Sequence, residues 1–295
     1  MVDENVVEME HVHKSFKGFE LKDLSITVKQ GFVTGFIGAN GAGKTTTIKL
    51  MMNLLQPDRG SISLFGMDYK HHEKEIKQRI GFVFDSNVFY EHLTLHEMKN
   101  IIKPAYDNWD DALFYHYADM FELPLKKKIK TFSKGMMMKA SLTIALSHQA
   151  ELIIMDEPTS GLDPIFRREL LEILHELMED EEKTIFFSTH ITTDLDRIAD
   201  YITFIHNGRH MFTKAYHDIE EEYAIVKGGT DLLDWDTEKE FIGIRKTKHG
   251  FEALAANRKR IEKIFSDMVI LEKPTLEDIM LYTKKGREQY ASSHT

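Results

Sequence analysis

Residues 38–46 read Gly38-Ala39-Asn40-Gly41-Ala42-Gly43-Lys44-Thr45-Thr46, the pattern G-x-x-x-x-G-K-[ST] of a phosphate-binding loop. Backbone N–H groups can grip a polyphosphate only where no side chain intervenes. Gly38, Gly41 and Gly43 let the main chain curl that tightly. Lys44 places a point charge on the outer phosphates, and Thr45 offers a hydroxyl to a magnesium ion. Phe32 to Ile37 reads as a buried strand entering the loop. Thr46 to Met52 reads as the helix leaving it, with Pro57-Asp58-Arg59-Gly60 as the next turn. The positive end of that helix faces the anion.

Two later strands end in chemistry that suits such a loop. Leu152-Ile153-Ile154-Met155 is apolar and closes on Asp156 and Glu157. A strand buried on both faces delivers its last side chain to a fixed point beside the phosphates. Asp156 is placed to hold magnesium through water, and Glu157 to polarise an attacking water. Phosphoryl transfer depends mainly on positioning and charge stabilisation, and such a pair supplies both. Thr184 to Thr189 is a second apolar strand and ends in His190. An imidazole at that strand end can donate a hydrogen bond to a terminal phosphate. Most of the other histidines, including His71-His72 and the His11/His13 pair, read as solvated, with a metal site there as the remote alternative.

The chain has 295 residues, enough for one large or two modest domains, with 42% hydrophobic and 29% charged residues. A formal net charge of -10 disfavours nonspecific contact with nucleic acid or anionic membrane. There are no cysteines, so disulfides and thiolate metal sites are excluded. No apolar run is long enough to span a bilayer, and the acidic start from Met1 to Glu10 lacks the form of a secretory signal. If the protein works at a membrane, another chain must supply the spanning part.

Strand-like runs at 33–37, 152–155, 184–187 and 201–205 alternate with helical stretches, which predicts an α/β core with parallel strands. Residues 90–145 predict an inserted helical subdomain. Its aromatics, Phe89, Tyr90, Trp109, Phe114, Tyr115, Tyr117 and Phe121, suit internal packing more than a docking surface. Past Gly208 the character changes. Strand candidates at 224–226, 241–244 and 268–271 and a last helix starting at Pro274-Thr275, with Asp278 in capping-box position, predict a small α+β appendage. The resulting division is 1–212 for the core, 213–285 for the appendage and 286–295 for a polar, disordered tail.

These ordered motifs resemble the ATP-binding-cassette (ABC) ATPases over roughly residues 4–215. Gly38 to Thr46 resembles the Walker A loop, Ile153 to Glu157 the Walker B strand with its catalytic glutamate, Ser160-Gly161-Leu162-Asp163 the D-loop, and His190 the switch histidine. Phe132-Ser133-Lys134-Gly135-Met136 resembles the signature usually written Leu-Ser-Gly-Gly-Gln. Phe16 stands where the family places an adenine-stacking ring; core packing is an equal alternative for it. The resemblance implies a P-loop ATPase core with an inserted helical subdomain, ATP and Mg2+ as ligands, and hydrolysis through Glu157 and His190. The implied nucleotide contacts are Phe16, Gly38, Asn40, Gly41, Ala42, Gly43, Lys44, Thr45, Thr46, Ser133, Gly135 and Asp163, and the implied magnesium contacts are Thr45, Asp156 and Asp85. Ser133 and Gly135 would meet the terminal phosphate held by a second subunit, identical or related, in a head-to-tail dimer.

Two departures stand out. Asp85 occupies the position usually held by the Q-loop glutamine, where a carboxylate can bind magnesium but adds charge. Lys134 and Met136 replace signature residues, as in a branch that contains antibiotic-resistance and small-peptide exporters. The stretch Lys273 to Ile279 resembles the end of that branch, and ATPase subunits of phenol-soluble modulin exporters are similar. The expected function is therefore a cytoplasmic ATPase, peripheral on the inner face of the membrane, driving a separate membrane-spanning subunit. That subunit would dock along Phe84 to His92. The competing expectation is an ABC ATPase acting on nucleic acid or ribosomes. The acidic charge, the single Walker A and the lack of a sustained heptad run weigh against it. Glu157 and His190 argue against a regulator without turnover, and no Asn-Lys-x-Asp motif marks a GTPase.

Overall fold

The computed structural model describes residues 4–84, 89–179 and 183–292, with side chains described through Gly286. The chain divides into two compact units, Met1–Thr213 and Lys214–Thr295. The strands are β1 (Asn5–Phe16), β2 (Phe19–Lys29), β3 (Val33–Ile37), β4 (Arg59–Leu64), β5 (Met67–Asp68), β6 (Ile80–Val83), β7 (Leu152–Asp156), β8 (Thr184–Thr189), β9 (Tyr201–His206), β10 (Arg209–Ala215), β11 (Ala224–Gly228), β12 (Phe241–Thr247), β13 (Gly250–Ala255) and β14 (Ile270–Glu272). The helices are α1 (Lys44–Met51), α2 (Tyr69–Gln78), α3 (Leu95–Ile102), α4 (Asp111–Met120), α5 (Lys134–Ser147), α6 (Pro164–Leu177), α7 (Thr192–Ile198), α8 (Tyr216–Glu222), α9 (Arg258–Phe265) and α10 (Leu276–Ser292).

The first unit is built on a six-stranded sheet in the order β10-β9-β3-β8-β7-β6. β3 pairs in parallel with β8 and β9, and β7 pairs in parallel with β6 and β8. Every residue of β3, β7 and β8 is buried, which explains why these strands are continuous apolar runs rather than alternating ones. The register places Asp156 opposite Ser188 and Ile37 opposite Thr189. The ends of the three strands that carry the loop, the carboxylates and the histidine are therefore neighbours.

A second, four-stranded sheet, β2-β1-β4-β5, is antiparallel. Sequence inspection did not find these strands. Irregularities between Met9 and Val12 and between Val12 and Lys14 break the alternation by which such strands are read. Their buried face, Val7, Met9, Leu21, Leu24 and Ile26, joins Ile48 and Met51 of α1 in one core.

The inserted helices α3, α4 and α5 occupy the stretch expected to be helical. Phe114 and Phe121 are buried, and Phe114 lies 5.9 Å from Trp109, ring centroid to centroid, so these aromatics mainly pack among themselves. Tyr90 and Tyr115 point outward. Thr94 and Glu97 close a reciprocal capping box at the start of α3.

The second unit carries a four-stranded antiparallel sheet, β12-β13-β11-β14, with α10 packed on β12 and α9 closing a core around Phe241, Phe251 and Phe265. β13 was not foreseen. Thr275 and Asp278 cap each other, with Thr275 N 2.9 Å from the Asp278 carboxylate and Asp278 N 3.1 Å from the Thr275 hydroxyl. The expected disordered tail is corrected in part: α10 continues through Gly286 to Ser292. Gly286 lacks the Cβ that would strike the Ile242 carbonyl oxygen, so the helix can run close along β12. The residues beyond it, Arg287-Glu288-Gln289, are good helix formers.

Candidate functional site

The loop 38–43 leads from β3 straight into α1. Gly43 is the N-cap of that helix, at φ 114°, and contributes no side-chain hydrogen bond to it. A Cβ there would lie 2.6 Å from Leu21 Cδ2, so both conformation and space demand glycine. The first N–H groups of α1 are left without a side-chain cap, the arrangement that suits an anion.

A cleft of about 710 Å³ opens at this helix end, lined by loop residues 39–41 and 43–46 and by Gly18, Phe19, Glu157, Ser160 and His190. Two of the expected contacts, Gly38 and Ala42, lie beneath the cleft rather than on it. Ala42 is buried in the core, its N–H is donated to the Ala39 carbonyl at 3.0 Å, and its carbonyl accepts from Gly208 N at 2.9 Å. Gly38 contributes its carbonyl oxygen, which accepts a 2.7 Å hydrogen bond from Lys44 Nζ.

The charged groups converge on one carboxylate. Lys44, only 6% exposed, lies 3.1 Å from Glu157 Oε1, and His190 Nδ1 lies 2.6 Å from Glu157 Oε2. The His190 N–H also donates to Oε2, at 3.3 Å. Glu157 follows β7 with φ 50°, a left-handed conformation that is uncommon for a non-glycine residue. Its N–H is held from β8 by the Ser188 hydroxyl and carbonyl oxygens, each at 3.1 Å. The Ser188 hydroxyl in turn donates to Asp156 at 2.7 Å. Ser188 thus positions both carboxylates, a role invisible in sequence because the two strands meet only in the sheet.

Asp156 is buried, with one carboxylate oxygen committed to Ser188. Among the described residues no group of three or more His, Cys, Asp or Glu side chains could hold a metal ion. A divalent ion here would draw most of its ligands from phosphate and water. The hard oxygens of Thr45 and Asp156 fit magnesium on those terms. Asp85 lies outside the described residues. His11 and His71 are exposed and paired with Asp23 and Asp68 at 2.6 and 2.9 Å.

Beside the phosphate cleft lies a second one of about 640 Å³. It shares Gly18, Phe19 and Gly41 with the first and adds Phe16 and Asn207. Phe16 is 43% exposed, so core packing does not account for it, and the Lys14 ammonium sits 5.9 Å from its ring centroid. Gly18, Phe19, Ser160 and Asn207 were not among the expected site residues.

Ser133, Gly135 and Asp163 are elsewhere. They line a separate cleft of about 560 Å³ with Lys134, Met136 and Phe166. Ser133 is the N-cap of α5, its hydroxyl accepting from Met136 N at 3.2 Å. Asp163 caps α6, accepting from the N–H groups of Ile165 and Phe166 at 3.1 and 3.0 Å. The D-loop bridges the two sites, with Ser160 on the phosphate cleft and Gly161 to Asp163 on the other.

The ABC transporter family matches residues 21–160. The bacitracin transport ATP-binding protein BcrA of Enterococcus faecalis is 31% identical over 211 residues, which cover 70% of this chain and 68% of that protein. The chain belongs to the ABC transporter ATP-binding family. BcrA of Bacillus licheniformis is 39% identical over 190 residues, 63% of this chain and 61% of the relative, so the match spans less than two thirds of that protein's length. A solved structure of an ATP-binding subunit of an ABC transporter superposes with a TM-score of 0.66 at 30% identity, covering 73% of this chain and 92% of that one. As a member of that family, the chain carries the ATP-binding domain of an ABC transporter. Among the described residues no helix is long and apolar enough to cross a membrane.

Proposed function

We propose that this ATPase powers export of an amphipathic or antimicrobial peptide through a separate membrane-spanning subunit, by ATP-driven head-to-tail closure of two ATPase subunits. The observation that carries the reading is the separation of two half-sites. The phosphate cleft holds Lys44, Glu157 and His190, whereas Ser133 and Gly135 line a different cleft of the same chain. A signature on a different cleft from its own loop fits service to the loop of a partner, an identical copy or a related subunit.

In this reading the N–H groups of residues 40, 41 and 43–46 and the Lys44 ammonium take the phosphates, and Phe16 stacks on the base. Thr45 and Asp156 hold Mg2+, which when bound neutralises charge on the phosphate oxygens. Glu157 accepts the proton of the attacking water. His190, released from Glu157, donates to the terminal phosphate. The partner's Ser133 hydroxyl, whose oxygen already accepts from Met136 N, keeps its proton free to donate to that phosphate. Phenol-soluble modulins and bacitracin-like peptides are the substrate class, on the strength of the Ser133-Lys134-Gly135-Met136 pattern and the bacitracin-transport relatives. A location on the cytoplasmic face follows from dependence on that membrane subunit. The net charge of -10 favours this assignment over action on nucleic acid.

The test is Glu157→Gln. Turnover should fall on the order of a hundredfold or more, while ATP binding persists and an ATP-dependent dimer appears in size-exclusion chromatography. Near-normal hydrolysis, or a strictly monomeric variant at saturating ATP, would refute the reading.

A further inference from the structure

The cleft beside the phosphate site contains a polar side chain that no motif assigns. Asn207 forms the turn between β9 and β10 together with Gly208, an Asn-Gly pair with both residues at positive φ, 48° and 71°. Two backbone bonds pin this turn in place. Gly208 N donates to the Ala42 carbonyl of the phosphate loop at 2.9 Å, and Lys22 N donates to the Gly208 carbonyl at 2.8 Å. A Cβ on Gly208 would strike the Glu20 carbonyl oxygen, so the turn sits tightly against β2. Asn207 is thereby held at a fixed position relative to the phosphate loop, on the cleft wall that also carries Phe16 and Gly41.

Its amide is uncommitted. Among the described residues the Asn207 side chain forms no hydrogen bond, and it is exposed to the cleft. The longer polar side chains there, Glu20 and Lys22, are bonded to each other at 2.8 Å. A carboxamide offers one acceptor and a pair of donor hydrogens. That is the complement of adenine, whose N6 amino group donates beside a ring nitrogen that accepts. Ring stacking is tolerant of base identity because every base has a π-face, so stacking on Phe16 alone would not select adenine.

We propose that Asn207 is a specificity-determining residue that hydrogen-bonds the adenine edge, its Oδ1 accepting from the N6 amino group. The inference rests on the proposed nucleotide site. It adds to that site a base-reading contact supplied by the β9–β10 turn.

Equilibrium binding of nonhydrolysable triphosphate analogues to the full chain tests it, using adenosine and purine riboside forms. The latter lacks only the N6 amino group. The variant is Asn207→Gly, because glycine keeps the left-handed conformation of the turn. The wild type should bind the adenosine form about three- to tenfold more tightly than the purine riboside form, the range of one hydrogen bond. Asn207→Gly should bind both equally, at the wild-type affinity for purine riboside. If the variant keeps the wild-type preference, or loses affinity for both forms alike, the assignment of Asn207 is overturned. If neither analogue binds the wild type, the nucleotide site itself is refuted and the inference falls with it.

Discussion

The two helix starts at the clefts of the first unit are built in opposite ways. Helix α1 begins at Gly43, which brings no side chain to its N–H groups. Helix α5 begins at Ser133, whose hydroxyl already caps it. An uncapped start leaves its donors to water or a ligand, whereas a capped start has one of them satisfied from within the chain. The charges differ in the same sense. The α1 cleft gathers a buried lysine and a histidine around one glutamate, at 3.1 and 2.6 Å from its carboxylate. At the α5 cleft, Lys139 is engaged by Glu169 at 2.7 Å. In the proposed cycle the first region receives the anion, and the second meets an anion already held by a partner.

Removing the charge from the first region should give the largest effect. Lys44→Ala takes away the ammonium that replaces its Gly38 and Glu157 contacts with phosphate. ATP affinity should fall about ten- to a hundredfold, the range for a charged hydrogen bond. Isothermal calorimetry reads this directly, and unchanged affinity would erase the distinction between the two regions.

A change in the second region should leave binding alone. If the proposed shared site is right, Ser133→Arg should permit ATP binding to the monomer but prevent the ATP-dependent dimer, because its bulk and charge would fall between the two subunits. The loss of the cap costs the helix about 1 kcal/mol, a modest effect that thermal unfolding would resolve. A dimer that persists in size-exclusion runs with ATP would show that the α5 cleft is not part of a shared site.

The smallest effect concerns the far end of α5. There His148 is the C-cap, stacked on Tyr106 at 3.8 Å, with its ring nitrogens 2.9 and 3.0 Å from the Ile144 and Ile80 carbonyl oxygens. Burial pushes its pKa below the ordinary 6.5, the nearby Lys183 charge adds to this, and the two carbonyls oppose it. A histidine with a lowered folded pKa takes up a proton more readily when unfolded. Stability is therefore unaffected above about pH 6.5 and is lost as pH falls from there toward the folded pKa. Between pH 7 and pH 5.5 the melting temperature of the wild type should drop about 2 °C more than that of His148→Gln. Equal drops would mean that the capped helix owes none of its acid sensitivity to this ring.

The parts of the site legible in sequence are those whose chemistry is local. The loop 38–46, the pair Asp156-Glu157 and His190 each follow an apolar strand, and a strand end fixes position without any knowledge of the rest of the chain. The residues not foreseen act across the sheet or across a turn. Ser188 reaches Asp156 and Glu157 only because β7 and β8 are paired. Asn207 reaches the base cleft only because its turn is tied to Ala42 and Lys22. The antiparallel sheet was hidden by irregular pairing in β1. The strand β13 was hidden because Gly250 to Ala255 is apolar at nearly every position and lacks alternation. The helical end of α10 was obscured by polar composition, although polar residues are good helix formers once a preceding turn nucleates them.

The contact between Lys44 and Glu157 has a thermodynamic consequence. The lysine holds an internal anion, so an incoming phosphate competes with a carboxylate tethered at high effective concentration. Measured affinity is then the difference between the two embraces. A lone orthophosphate gains little from the exchange, whereas a triphosphate that also engages the α1 amides gains enough. Discrimination against small anions is thus built into the Lys44–Glu157 pair.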